Sequence, residues 1–298
     1  RSQGSLEGTG YDGDALDELL ADLGMENGAK ADPGRQTDRE AELREKWGTE
    51  RGQVWVIPSD AAPSRAHRLM CGDGTSTTDV AALLDGAPPP DLCLTDPPYC
   101  SGGFQEGGKG AGSVGTDAPH KQIANDRLST RGYQALLKQA FTNSGAPYIY
   151  AFTDWRMWVW LFDVVESCGY GVRSMIVWDK GTPGMGRGWR AQHELILWGC
   201  RETPPFDKHA SGVGNVIGEK RTGNVLHTTE KPAELLGVLI QNTPFARVVY
   251  DPFGGSGTTI VAAEGQRRTC YGMEIDPGYG AVTLERLSGM GLLPERVV

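Results

Sequence analysis

Two short stretches carry residue types at spacings that can do chemistry. Asp96-Pro97-Pro98-Tyr99 follows directly on an apolar run, DLCLT at 91–95. Two consecutive prolines fix their own φ angles and restrict the residues before them, so the tetrapeptide is stiff and extended. Asp96 offers carboxylate acceptors, the Pro97 carbonyl can be turned the same way, and Tyr99 adds a flat face for a planar ring. This kit suits an exocyclic amine on an aromatic ring. Taken alone, the same four residues also read as an ordinary turn after a strand.

The second stretch is Asp251-Pro252-Phe253-Gly254-Gly255-Ser256-Gly257-Thr258-Thr259, between the apolar run RVVY and a helical pattern. A glycine-rich strand-to-helix turn lets a ligand approach the backbone and meet the helix N-terminus. No Lys precedes the Thr pair, so this is not a nucleotide-phosphate loop of the Walker type, and it is not GxGxxG. About 20 residues on, the next strand ends in Glu274-Ile275-Asp276, where an acid is placed to accept hydrogen bonds from ribose hydroxyls. The two features together indicate a nucleoside-containing cofactor without a pyrophosphate signature.

On these residues the chain resembles the S-adenosylmethionine-dependent DNA amino-methyltransferases (the N6-adenine/N4-cytosine family) in the β-class motif order, with DPPY ahead of the cofactor loop. Two further blocks carry the resemblance: His227-Thr228-Thr229-Glu230-Lys231-Pro232 is similar to the family's H-x-T-x-K-P segment, and Cys71-Gly72-Asp73 to its G-D element. The four blocks keep the family's order across residues 67–276. Residues 38–75 also resemble phage and prophage DNA methylases, more weakly. The resemblance implies methyl transfer from S-adenosylmethionine to the amine of a flipped-out base. Asp96, Pro97, Pro98 and Tyr99 would be catalytic. Asp251, Phe253, Gly254, Gly255, Gly257 and Thr258 would shape the methionine pocket, Glu274 would hold the ribose, and Asp73 would lie near the adenine. Thr229 and Lys231 would contact the methionine end or the loop around it. Within the family Asp at the first motif position accompanies adenine and Ser accompanies cytosine, so Asp96 implies adenine N6. The alternatives are cytosine N4, which uses the same machinery, and a DNA-binding protein that has lost catalysis. DNA is the implied partner, a homodimer a further expectation, and a bacterial or phage-encoded cytoplasmic protein, with or without a restriction partner, the implied setting.

These residues need elements to hold them. Strand patterns fall at 53–57, 67–71, 91–95, 147–152, 173–178, 194–199, 247–250 and 269–275. Helical patterns fall at 76–85, 131–142, 154–167, 230–242, 257–265 and 278–289. Several strands are continuously apolar, as in a parallel sheet buried on both faces. The alternation predicts a doubly wound α/β sheet, and the resemblance implies that it is a mostly parallel Rossmann-like methyltransferase sheet with long DNA-facing loops, occupying 38–298. Two stretches break the pattern, 100–130 and 200–226, and loops of that length are usually functional or disordered. The first is expected to close over the flipped base. The second, with 181–192, forms the expected target-recognition segment at 181–226. Its Arg187, Arg190, Lys208, Lys220 and Arg221 are candidates for phosphate or guanine contacts. Trp155, Trp158 and Trp160 read as core or dimer contacts.

The net charge of −9 argues at first against a nucleic-acid partner. Residues 1–50, however, hold 13 acids and 6 bases, whereas 180–232 holds 8 bases and 5 acids. The acidity belongs to the amino-terminal end, and the prospective DNA-facing part is basic. Residues 1–37 read as a polar, disordered or linker tail dispensable for catalysis, and 38–47 as a charged helix. Six irregularly spaced cysteines with no CxxC pair point to reduced structural thiols rather than disulfides or a metal site, and no metal is expected. No apolar run is long enough to span a membrane.

Overall fold

The structure is a computed structural model that describes residues 31–61, 65–100, 128–184, 188–206, 212–218 and 231–298. Ten strands form one sheet in the order β10-β1-β2-β9-β8-β3-β4-β6-β5-β7. They are β1 (Val54–Pro58), β2 (Ala66–Cys71), β3 (Leu92–Thr95), β4 (Tyr148–Thr153), β5 (Gly171–Asp179), β6 (His193–Cys200), β7 (Val216–Gly218), β8 (Val248–Asp251), β9 (Thr269–Glu274) and β10 (Glu295–Arg296). From β2 through β9, β8 and β3 to β4 every neighbour is parallel. The sheet turns antiparallel at β4–β6 and β6–β5, and at β2–β1 and β1–β10.

The helices are α1 (Glu40–Trp47), α2 (Thr77–Leu84), α3 (Thr130–Ser144), α4 (Trp158–Ser167), α5 (Ala233–Gln241), α6 (Thr258–Gly265) and α7 (Pro277–Gly289). Alternation along the strands sends side chains to two cores. Leu92 and Leu94 of β3, Tyr148, Tyr150 and Phe152 of β4, and Val249 of β8 meet Leu235, Ile260 and Leu284 from α5, α6 and α7. Cys93, Ile149, Ala151 and Tyr250 point the other way, onto Val80, Leu83, Tyr133, Leu137 and Val164 from α2, α3 and α4. Strands clad on both faces are apolar throughout, which is why they stood out in the sequence. In α3, Tyr133, Leu137, Ala140, Phe141 and Ser144 are buried at helical spacing, and the Ser129 hydroxyl caps the helix by accepting from Gly132 N.

All eight expected strands and all six expected helices are present, with ends shifted by a few residues. The short β7 and β10 had no pattern long enough to read. Helix α4 begins later than expected because Asp154 accepts from the amides of Arg156 and Met157, both at 3.0 Å, and makes a turn of the preceding residues. Two of the tryptophans read as core or dimer contacts lie outside the core. Trp155 and Trp160 are exposed, while α4 packs through Leu161, Val164 and Val165 and leaves Trp158 half-buried.

The charged helix expected at 38–47 is a 3-10 turn over Thr37–Arg39 followed by α1. Leu43 packs on Ala281 and Val282 of α7, and Lys46 and Trp47 both donate to Glu285. The expected tail reaches this body as well. Asp32 accepts from Arg286 Nε at 2.9 Å and Nη2 at 2.6 Å, and Arg286 is only 4% exposed. Losing Asp32 would strip a buried cation of its counterion, so the described residues from Asp32 onward are not a detached linker. Residues 1–30 lie outside the described residues, as do 101–127 in the expected closing loop. All six cysteines are free thiols. Among the described residues no helix is long and apolar enough to cross a membrane, and no His/Cys/Asp/Glu group could hold a metal.

Candidate active site

Five parallel strands put their carboxyl ends on one edge of the sheet, the edge where an open α/β sheet places its ligands. Asp73 follows β2, Glu274 ends β9, Asp251 ends β8 and Asp96 follows β3. Strand β6 runs the other way, so its amino end reaches the same edge. Thr153 at the end of β4 pairs with Leu195, and the next residue outward is Glu194. Strand β5 reverses again, pairing Asp179 with His193, which brings Lys180 alongside.

Asp96, Tyr99, Lys180, Glu194 and Lys231 form one cluster there. Lys231 Nζ donates to Asp96 Oδ2 at 2.7 Å and lies 3.1 Å from Glu194 Oε2. Lys180 Nζ donates to Glu194 Oε1, and the Tyr99 hydroxyl donates to Glu194 Oε2 at 3.0 Å. The Lys231 ammonium also stands 5.2 Å from the centre of the Tyr99 ring and 5.4 Å from that of Phe152. Asp96 Oδ1, by contrast, is buried and has no hydrogen-bond partner among the described residues. A buried acceptor left unmatched is costly unless something else completes it. Burial raises the Asp96 carboxyl above its ordinary value, against the pull of Lys231. Burial would also raise Glu194, but Lys231 and Lys180 outweigh it and hold the group at about 2. Burial would lower Lys231, and Asp96 and Glu194 reverse that and hold it above its ordinary value.

The glycine-rich turn is built differently. Gly257 has φ +81° at the start of α6, and a Cβ there would come within 2.5 Å of the Thr283 side chain, so only glycine fits. The Gly254 amide donates to the Met273 carbonyl at 2.7 Å, which lays the turn against β9. The Gly255 amide donates to Glu274 Oε2 at 2.8 Å, and the Asp276 amide to Glu274 Oε1 at 2.8 Å. Burial pushes Glu274 up to about 7 despite those two amides. Asp251 is 2% exposed and accepts from Thr259 Oγ1 at 2.6 Å, Thr95 Oγ1 at 2.7 Å and the Phe253 amide at 3.0 Å; burial still raises it to about 6. Asp73 Oδ1 accepts from the amide and hydroxyl of Thr75. Its neighbour Gly74 sits so near Pro252 that a Cβ would lie 2.7 Å from the Pro252 carbonyl, which brings Asp73 beside the turn. The Thr258 hydroxyl accepts from Arg286 Nη1 at 3.1 Å.

Most of the residues expected from sequence therefore meet at one edge. Lys231, expected at the methionine end or the loop around it, places its ammonium on Asp96. Thr229, Arg187, Lys208, Lys220 and Arg221 lie outside the described residues. Arg190 is exposed beside the fully exposed Trp189, between β5 and β6. Sequence reasoning missed Lys180, Glu194 and Thr95. The available signal was an acid opening an apolar strand, which gains meaning only once that strand is known to run antiparallel.

A family model for DNA methylases of the N6/N4 type matches residues 90–285, from the start of β3 into α7. The chain belongs to this DNA methylase family. Its relatives include the protein named "Putative methylase YubD" of Escherichia coli (strain K12), 29% identical over 201 residues that cover 67% of this chain and 82% of the relative. The type II methyltransferase M.BglII of Bacillus subtilis is 28% identical over 165 residues, 43% of this chain and 45% of that protein. Among solved structures, M1.HpyAVI superposes with a TM-score of 0.51 at 20% identity, covering 74% of this chain and 97% of its own. TTHA0409 of Thermus thermophilus superposes with a TM-score of 0.50 at 19% identity, covering 74% and 94%. At those identities the superpositions establish the methyltransferase fold. A DNA methylase of this family takes its methyl group from S-adenosylmethionine, and this methylase has residues that fit it. The Gly255 position opens to free space, so a ligand can lie against the backbone there. Glu274 uses each oxygen for one amide, leaving each able to accept again.

Proposed function

We propose that this methylase transfers the methyl group of S-adenosylmethionine to the N6 amine of an adenine flipped out of duplex DNA. The observation that carries the reading is Asp96 Oδ1, a buried acceptor with nothing to accept from among the described residues. An exocyclic amine has its lone pair delocalised into the ring and is a poor nucleophile. Hydrogen bonds from that amine to Asp96 Oδ1 and to the Pro97 carbonyl would draw the lone pair back onto nitrogen and aim it. This is orientation and electrostatic preorganisation, with no strong general base required. The amine is out of reach in a stacked duplex, so the base leaves the stack, and the Tyr99 ring, steadied by its hydroxyl bond to Glu194, supplies a face for it. Glu274 and Asp73 would hold the nucleoside part of S-adenosylmethionine, which when bound supplies an electrophilic methyl group. Arg190 and Trp189, exposed between β5 and β6, support assigning 181–226 to the DNA.

The carboxylate at the first motif position favours adenine over cytosine. Incubation of the methylase with isotopically labelled cofactor and unmethylated DNA, followed by nucleoside mass spectrometry, tests this. N6-methyladenine is expected, and N4-methylcytosine as the sole product would overturn the adenine assignment.

A further inference from the structure

We propose that Lys180 and Glu194 are positioning residues for methyl transfer, setting how the Lys231 ammonium is shared between Asp96 Oδ2 and Glu194 while Asp96 Oδ1 is left unmatched for the incoming amine. The proposal rests on amine methylation at this site and not on which base supplies the amine.

The geometry leaves little else for the two residues to do. Glu194 and Lys180 are nearly enclosed, their side chains 15% and 6% exposed, at the edge where Asp96 lies. Glu194 gathers three donors on two oxygens: Lys180 on Oε1, and Lys231 and the Tyr99 hydroxyl on Oε2. Lys231 bridges the two carboxylates and is 6% exposed. Two acids and two bases make the cluster neutral, which lets it survive burial. The surroundings of Asp96 also include Asp251, which ends β8 and feels the Asp96 charge. Thus Asp96 faces Lys231 ahead of α5, Glu194 from β6, Tyr99 from its own segment and Asp251 from β8, while Lys180 at the end of β5 reaches it through Glu194.

Lys231 is shared between two carboxylates, and each end of the chain of charges sets how firmly it sits on Asp96. With Glu194 neutral, Asp96 becomes the sole anionic partner of Lys231 within the cluster. The ammonium draws charge from the carboxylate that should polarise the amine, and an anion that repelled Asp96 is gone. Asp96 then ionises at lower pH and the reaction slows. With Lys180 neutral, Glu194 has Lys231 alone and pulls it away from Asp96. Asp96 then ionises at higher pH, and the reaction slows for want of orientation. Two variants of one network thus move the acid limb of turnover in opposite directions.

The test is the pH dependence of kcat at saturating S-adenosylmethionine for wild type, Glu194→Gln and Lys180→Met. The substrate is DNA free of prior methylation, with product identified by nucleoside mass spectrometry and folding checked by circular dichroism. Glu194→Gln is expected to reduce kcat about 10- to 100-fold and shift the acid limb to lower pH. Lys180→Met is expected to reduce kcat about 3- to 10-fold and shift the limb to higher pH. Both should keep the wild-type affinity for S-adenosylmethionine within about two-fold. Limbs that stay put, or that move the same way in both variants, overturn the proposal, and so does a loss confined to thermal stability. If only one variant folds, its direction of shift decides. The modified nucleoside, recorded in the same assay, judges the adenine assignment separately.

Discussion

The two halves of the sheet edge handle buried charge in opposite ways. On the Asp96 side, Asp96 and Glu194 are matched by Lys231 and Lys180, and Glu194 is held at about 2. On the side of the glycine-rich turn, the hydrogen bonds that Asp251 and Glu274 accept among the described residues come from amides and hydroxyls, and burial raises the two groups to about 6 and about 7. An internally neutral cluster suits a neutral base, whose amine needs direction more than charge. Carboxylates that lack a cation suit a ligand that brings one, and S-adenosylmethionine carries a sulfonium and an ammonium.

The largest effect that tests this division is at Asp96. Asp96→Asn should lower turnover by about 10³-fold or more in the labelled-methyl assay, while calorimetry finds S-adenosylmethionine affinity within about two-fold of wild type. A matching loss of affinity would mean that the halves are not separate. Next comes Glu274→Gln, expected to weaken S-adenosylmethionine binding by about 10- to 100-fold, roughly 1.4–2.8 kcal/mol, with kcat at saturation changed by less than about three-fold. The same residue fixes a pH dependence. Ribose hydroxyls favour its ionised form, so wild-type affinity should rise as the pH increases through about 7 and then level off, and the variant should lose that slope. In the cofactor-free enzyme the sign is reversed. A carboxyl whose folded pKa lies above its unfolded value of about 4.3 loses stability as pH climbs from there to about 7. Melting temperatures with and without S-adenosylmethionine across that window check both signs. The smallest effect is expected from Thr259→Val, which removes a hydroxyl donor from Asp251 Oδ2. Differential scanning calorimetry should show a destabilisation of about 1–3 kcal/mol, with turnover at the permissive temperature nearly unchanged.

Much of this was legible because burial leaves a compositional trace. Strands such as β3 and β4, packed on both faces, can only be apolar, and the turns after them must carry whatever the site needs. Asp96, Tyr99, Asp251 and Glu274 were readable on those grounds. Lys180 and Glu194 were not, since in one dimension they are ordinary charges beside strands. Only the antiparallel pairing of β6 with β4 and β5 swings them to the edge. Lys231 was visible as part of a motif, but its partner lies 135 positions away in the chain and nothing local names it. Trp155 and Trp160 show the reverse: large apolar side chains are common outside cores, so their type alone did not say that they lie on the surface.

The hydrogen bond from Thr95 to Asp251 joins the last residue of β3 to the last of β8, one position before Asp96 and two before Phe253. Because those strands are neighbours in the sheet, the spacing between the glycine-rich turn and the tetrapeptide at 96–99 is a lattice constant of the fold. The segments expected to meet DNA, 100–130 and 181–226, are separate in sequence from both strands. Exchange of a recognition loop between methylases of this architecture could therefore redirect the enzyme to other sequences while the distance over which a methyl group must travel stays as it was.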